Sequence, residues 1–177
     1  MWRKRQPVVN ESDRVIKDAE KARERTMNRA VKLLAAKPRS VGELRERLLE
    51  KNWTNSEIVD RVIAKLEEYG YLDDEKFAAE LALSKLRQRP QGKRRLQQSM
   101  SQKKLDRDIV ENALASAFEK MPETDLIDKA IEKRLRLKRK PETREDVKKF
   151  YDHLLRQGFG FDLIREKMSA LAKLPDD

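Results

Sequence analysis

The sequence predicts an all-α chain built as three tandem three-helix units that form an elongated curved rod. Three observations predict it. Apolar residues recur at helical spacing in segment after segment, and Pro and Gly fall between those segments rather than inside them. Only 38% of the 177 residues are apolar and 42% are charged, which suits several small helical cores in a row better than one large core. The apolar positions also repeat with a period near fifty residues.

The elements follow in order. A basic arm and the start of a helix occupy residues 1–26, with Trp2 in the arm. The first helix is expected from near Ser12 to Lys37, with Val31 and Leu34 on one face, until Pro38 ends it. "SVGE" at 40–43 reads as a capping box, in which Ser40 accepts from the Glu43 amide and Glu43 reaches back. Leu44, Leu48 and Leu49 follow on its helix. "TNSE" at 54–57 reads as a second capping box, before an apolar stripe of Ile58, Val62, Ile63 and Leu66 that Gly70 stops. Asp74 is the expected N-cap of the next helix, where Phe77, Leu81 and the stem of Lys85 share a face until Pro90. Leu96 and Met100 mark a short helix. Asp106 should cap another that carries Ile109, Val110, Ala113, Leu114 and Ala117 up to Pro122. Leu126, Ile127, Ala130 and Ile131 mark a helix that Pro141 ends. Thr143 caps one with Val147, Phe150, Tyr151, Leu154 and Leu155, which Gly158 stops. Leu163, Ile164, Met168 and Leu171 define the last.

The repeat is explicit. Leu96, Met100, Leu105, Ile109, Val110 and Leu114 meet Phe150, Leu154, Phe159, Leu163, Ile164 and Met168, each 54 positions on. Leu44, Leu48 and Trp53 lie 52 positions before Leu96, Met100 and Leu105; a one-residue slip then lays Ile109 and Val110 over Ile58 and Val59. The expected units are 27–73, 74–121 and 122–174. Trp53, Leu105 and Phe159 would each staple the start of a third helix to Ile58, Val110 and Ile164, a core role.

Several function classes lose support. No cysteine is present, so disulfides, thiolate zinc sites and a cysteine nucleophile are excluded. No apolar run reaches the roughly 20 residues of a membrane span, and the basic N-terminus lacks the apolar stretch of a signal peptide, so a cytoplasmic protein without membrane contact is expected. No P-loop, G-x-S-x-G or G-x-G-x-x-G motif occurs, and His153, the single histidine, lacks a partner set for metal or triad chemistry. No cofactor or metal and no enzymatic activity are expected.

The stretch "YGYLDDEKFAAE" at 69–80 raises the question of chemistry directly. Asp73 and Asp74 sit between a helix-stopping glycine and the first turn of a helix. A carboxylate there caps free amides and meets the positive end of the helix dipole. A metal would need more converging ligands, and neither D-x-D-x-D-G nor H-x-x-x-H is present. An acid–base pair would need a second group brought near by the fold, which sequence leaves open. The favoured role is a structural joint.

These residues also carry a resemblance. Gly70, Tyr71, Leu72, Asp73, Asp74 and Phe77, followed by Gly92, Lys93, Arg94, Arg95 and Leu96, resemble the signature of the RecX family of RecA regulators; "SVGELRERLLEKNW" resembles its first-unit pattern. The likeness covers about residues 27 to 173. Where that family often has Lys-Gly before the staple position, this chain has "KNW" and "KKL". The resemblance implies a monomeric, non-enzymatic regulator lying in the helical groove of the RecA filament on single-stranded DNA. There it would bridge protomers, block ATP hydrolysis and strand exchange, and modulate recombination and DNA repair.

The net charge of +10 favours a polyanionic partner or an acidic protein surface. Two acid-free runs concentrate it. Lys85, Arg87, Arg89, Lys93, Arg94 and Arg95 form one; "KRLRLKRK" at 133–140 forms the other, where Lys133, Arg136 and Lys140 would share a helical face opposite Ile131, Leu135 and the stem of Lys138. The bland alternative is a solvated face. Either run would contact the filament or its single-stranded DNA. A second hypothesis is a direct DNA-binding protein of helix-turn-helix type built on segments 41–50 and 55–68; against it, the would-be recognition helix carries Glu57, Asp60, Glu67 and Glu68.

Overall fold

The computed structural model describes residues 10, 14, 16–138 and 140–172. Among them are nine α-helices and no strand: α1 (Ala19–Ala36), α2 (Val41–Leu49), α3 (Ser56–Glu68), α4 (Asp74–Gln88), α5 (Lys93–Ser101), α6 (Arg107–Lys120), α7 (Glu123–Leu137), α8 (Arg144–Arg156) and α9 (Phe161–Ala172). Trp2, most of the N-terminal arm, and residues 173–174 at the expected end of the third unit lie outside the described residues.

The chain divides into two compact bodies, Met1–Phe77 with Lys103–Leu105, and Ala78–Gln102 with Asp106–Asp177. In the first, α1 packs on α2 and α3. Its core joins Ala30, Leu44, Leu48, Val59, Val62, Ile63, Leu66 and Leu72. In the second, the repeat positions Leu96, Met100, Val110, Leu114, Phe150, Leu154, Phe159 and Ile164 are all buried. Those apolar pairs mark helix faces that have no other place to hide from water.

Several local expectations shift. The first helix begins at Ala19 rather than near Ser12, because Asp18 caps it, accepting from the Lys21 amide at 3.0 Å. Its buried seam is Ala22, Thr26 and Ala30, while Val31 is 50% exposed. Small side chains allow close helix approach, and a search for large apolar residues passes over them. The same holds in α4, whose fully buried side is Ala78, Ala82 and Leu86, with Phe77, Leu81 and Lys85 only half-buried. Asn55, not Thr54, caps α3, accepting from Ile58 N at 2.9 Å. Thr54 is instead fully buried, its hydroxyl 2.9 Å from that of Thr26. This offset moves the staple of α3: its fourth residue is Val59, and Trp53 lies one position too early to staple it. Leu105 and Phe159 stand two residues before the first residues of α6 and α9, the staple position; the Asp106 side chain, expected to cap α6, makes no capping hydrogen bond.

Both glycine stops hold. Gly70 has φ +72° and Gly158 φ +89°. At each, two reversed amides close a Schellman motif: Tyr71 N to Leu66 O (2.8 Å) with Gly70 N to Glu67 O (2.9 Å), and Phe159 N to Leu154 O (3.4 Å) with Gly158 N to Leu155 O (2.9 Å). Helix α7 ends at Leu137, four residues before Pro141, with Lys138 extended. Like charges one turn apart repel, and the proline disfavours helix at Lys140.

Candidate functional site

The signature carboxylates are both occupied by backbone. Asp73 Oδ1 accepts from Lys76 N at 2.8 Å, so Asp73 rather than Asp74 caps α4. Asp74, the first residue of α4, turns to another helix and accepts from Val41 N, the first amide of α2, at 2.9 Å. Ser40 completes that end: its hydroxyl accepts from Glu43 N at 3.1 Å and donates to the Lys103 carbonyl. Glu43 does not reach back to Ser40 but pairs with Lys103 Nζ at 2.9 Å. The second body repeats the arrangement with different chemistry. Gly92 at the start of α5 offers no side chain, and Lys93 N, the first amide of α5, donates to Glu123 Oε1 of the first α7 residue at 3.0 Å. Gly92 N donates to Gln157 O at 2.9 Å, and a Cβ on Gly92 would stand 2.3 Å from the Gly158 carbonyl carbon. In both bodies, then, the acid opening the first helix of one unit caps the second helix of the unit before. Tyr71, in the same signature, is 70% exposed.

The predicted basic residues separate. Arg87, Arg89, Lys93 and Arg94 are exposed; Lys85 and Arg95 are half-buried, and Arg95 Nη1 donates to Arg156 O at 2.9 Å. Lys133, Arg136 and Lys140 do not share a helical face, because Lys140 lies beyond the end of α7. Arg136 pairs along its helix with Glu132.

Two of the predicted cations do converge. Arg89 and Lys133 line one cleft of about 320 Å³ in the second body, together with Gln88, Pro90, Ala130, Arg134, Leu137, Lys138, His153 and Gln157. Among the described residues, no carboxylate lines it. Arg134 rests its guanidinium carbon 5.3 Å from the centre of the Phe150 ring, and its Nε is buried without a hydrogen-bond partner. His153 forms part of the wall. Burial holds its imidazole below the usual value, aided by the positive charges of Arg134, Arg156, Arg89 and Lys138. Its Nε2 lies 2.7 Å from Gln157 Nε2; with that amide donating, the ring is neutral and carries its proton on Nδ1. The wall is thus positive and acid-free around the imidazole.

A second basic cleft, of about 430 Å³, lies in the first body between α1 and the α2–α3 turn, lined by Arg25, Asn28, Arg29, Lys32, Leu33, Lys51 and Trp53. The Arg25 guanidinium carbon stands 4.4 Å over the Trp53 ring centre. Sequence reasoning missed both groupings. Arg134, Lys138 and His153 come together only because α7, α8 and the turn after α4 meet. The first-body cations Arg25, Arg29 and Lys32 recur at i, i+4 and i+7 on α1 with no acid between them, a helical-face signal that a search for contiguous basic runs passes over. The helix-turn-helix alternative fares poorly: Glu57, Asp60, Glu67 and Glu68 of α3 are all exposed, and Asp60 is paired with Arg45 at 2.8 Å. Among the described residues no helix is long and apolar enough to cross a membrane, and no cluster of His, Asp and Glu could hold a metal ion.

Family comparison follows the same three-part division. Residues 27–66, 73–114 and 122–168 match the first, second and third three-helix domains of RecX. The chain belongs to the RecX family. It is 31% identical to regulatory protein RecX of Chlorobaculum tepidum over 79% of this chain and 84% of that one. It is 31% identical to the RecX of Prosthecochloris aestuarii over 83% and 93% of the two chains. Against the RecX of Bacillus subtilis it is 31% identical and spans about half of that longer protein, 54%. A crystal structure of RecX from Lactobacillus salivarius superposes with a TM-score of 0.76 at 20% identity, covering 88% of this chain and 99% of that one. Three tandem RecX three-helix domains are therefore the architecture of this chain.

Proposed function

We propose that the chain is a non-enzymatic regulator that binds the RecA filament on single-stranded DNA and inhibits its ATPase and strand-exchange activities, thereby modulating recombination and DNA repair. RecX-family membership across three domains is the observation that carries this reading. The chemistry of the surface agrees with it: an excess of ten positive charges and acid-free clefts fit a polyanionic assembly. We assign the contact to the cleft residues Arg89, Lys133, Arg134 and Lys138, with the exposed Arg87, Lys93 and Arg94 beside them in sequence. Arg95, held by the Arg156 carbonyl, and Lys85, Arg136 and Lys140 contribute less. The regulator works as a monomer in the cytoplasm and needs no cofactor.

The test is a titration of DNA-dependent ATP hydrolysis by RecA. Inhibition is expected at ratios at or below one regulator per recombinase. Unchanged hydrolysis at excess regulator would overturn the proposal.

A further inference from the structure

We propose that the cleft walled by Arg89, Lys133, Arg134, Lys138 and His153 is a phosphate-binding site, occupied by a backbone phosphodiester of single-stranded nucleic acid, and that it takes up a proton together with its ligand. The inference deepens the preceding proposal and is tested without the recombinase.

Three features of the cleft specify the ligand. Four cations from two elements face one space with no carboxylate among them, so the space is unfavourable to leave empty of negative charge. Arg134 is held in that wall by the Phe150 ring, whose centre lies 5.3 Å from its guanidinium carbon. Two guanidinium and two ammonium groups around one centre suit the tetrahedral oxygens of a phosphate. The rim is apolar, with Pro90 on one side and Leu137, 76% exposed, at the end of α7. An exposed leucine beside a cationic pocket offers contact to the sugar and base that flank a phosphate in a strand. The volume, about 320 Å³, holds a phosphate with its sugar rather than a folded domain's edge.

His153 couples the site to pH. In the free protein, burial and then the charges of Arg134, Arg156, Arg89 and Lys138 oppose its protonation. A bound phosphate offsets those charges and favours the imidazolium, with the Gln157 amide turned so that its oxygen accepts from Nε2. The imidazole pKa is thus higher in the complex than in the free protein. Binding takes up a proton, and affinity rises as pH falls from the bound value toward the free one.

The experiment is fluorescence anisotropy of a labelled oligothymidylate with the full chain, between about pH 5.5 and 8, where the phosphodiester charge does not change. Affinity should rise about three- to tenfold on acidification. In His153→Gln the dependence on pH should vanish, whatever affinity remains. Arg89→Glu with Lys138→Glu, both at exposed positions, should weaken binding at every pH and lower the salt slope by about 0.7 for each phosphate no longer neutralised. Circular dichroism checks that the variants remain helical. Competition by nucleoside triphosphate without metal supports a phosphate site; if it binds more tightly than an oligonucleotide of equal phosphate concentration, the assignment to a strand is overturned. Equal competition by polyglutamate overturns phosphate recognition. A pH-independent wild type, or wild-type affinity in the double variant, overturns the site. Inhibition of the recombinase by that same double variant would leave the proposed function standing while removing this site from it.

Discussion

At the scale of single residues, Lys104 shows how one position departs from the pattern of its repeat. It is the one described non-glycine residue with positive φ, +55°, and it occupies the position that Gly158 holds 54 residues later. A side chain in the left-handed region costs about 1–2 kcal/mol. The Lys104 ammonium makes only an exposed pair with Glu46, at 2.7 Å, which offsets little of that. Lys104→Gly is therefore expected to stabilise the protein by about 0.5–1 kcal/mol, after the larger unfolded-state entropy of glycine is counted. The denaturant midpoint measures it, and a lower midpoint would contradict the strain. The sequence marks this place as unusual, since the Lys-Gly frequent in the family is "KKL" here. It does not reveal that the backbone keeps the glycine conformation, because neighbouring packing rather than local preference sets φ. Gly42 lies against the same residue: a Cβ there would meet Lys104 O at 2.6 Å.

At the scale of elements, the joints between helices are the recurring device. Helix α2 begins with amides that no intrahelical carbonyl can satisfy, and Asp74 serves one of them across 33 residues of chain. Asp74→Ala should cost about 0.5–2 kcal/mol by removing that acceptor, with α4 still capped by Asp73. Thermal unfolding is the measurement, and an unchanged midpoint would remove Asp74 from the joint. The acidic pair was legible as a structural joint. Which aspartate serves which helix was not, because two adjacent carboxylates at a helix start are equivalent in sequence and differ only in what lies opposite. Helix faces were similarly half-legible. Large apolar stripes in α3 and α6 were placed correctly; in α8 only Phe150 and Leu154 are buried while Val147 and Leu155 are exposed, and the alanine seams of α1 and α4 were not foreseen. Alanine reports a close approach only once the neighbouring helix is known.

At the scale of the whole molecule, cations line two clefts, one in each compact body. Counting basic residues along the chain treated the run at 133–140 as one face. The structure splits it: Lys133 and Lys138 line the cleft, Arg136 pairs with Glu132, and Lys140 sits beyond the helix. Charge reversal of Lys133 with Arg89 is accordingly expected to weaken partner binding by about tenfold or more, as removal of two charge-assisted hydrogen bonds would. Reversal of Arg136 with Lys140 should change it by less than about threefold, as for peripheral surface charges. Binding to recombinase filaments at fixed salt distinguishes the pairs, and equal weakening would mean that the whole run acts as a diffuse basic surface.

The sequence by itself determined the all-α class, the three tandem units, the glycine stops and the family. Each rests on periodicity or on a local backbone demand that a stretch of a dozen residues states in full. The tertiary structure alone decided that His153 stands among four cations, that Arg134 keeps a buried donor unsatisfied, and that Arg89 meets Lys133 across 44 residues of chain. Those are relations between helices. The angle and depth at which one helix meets another depend on side chains scattered over the chain, so no local pattern encodes which charges will face the same few ångströms of space.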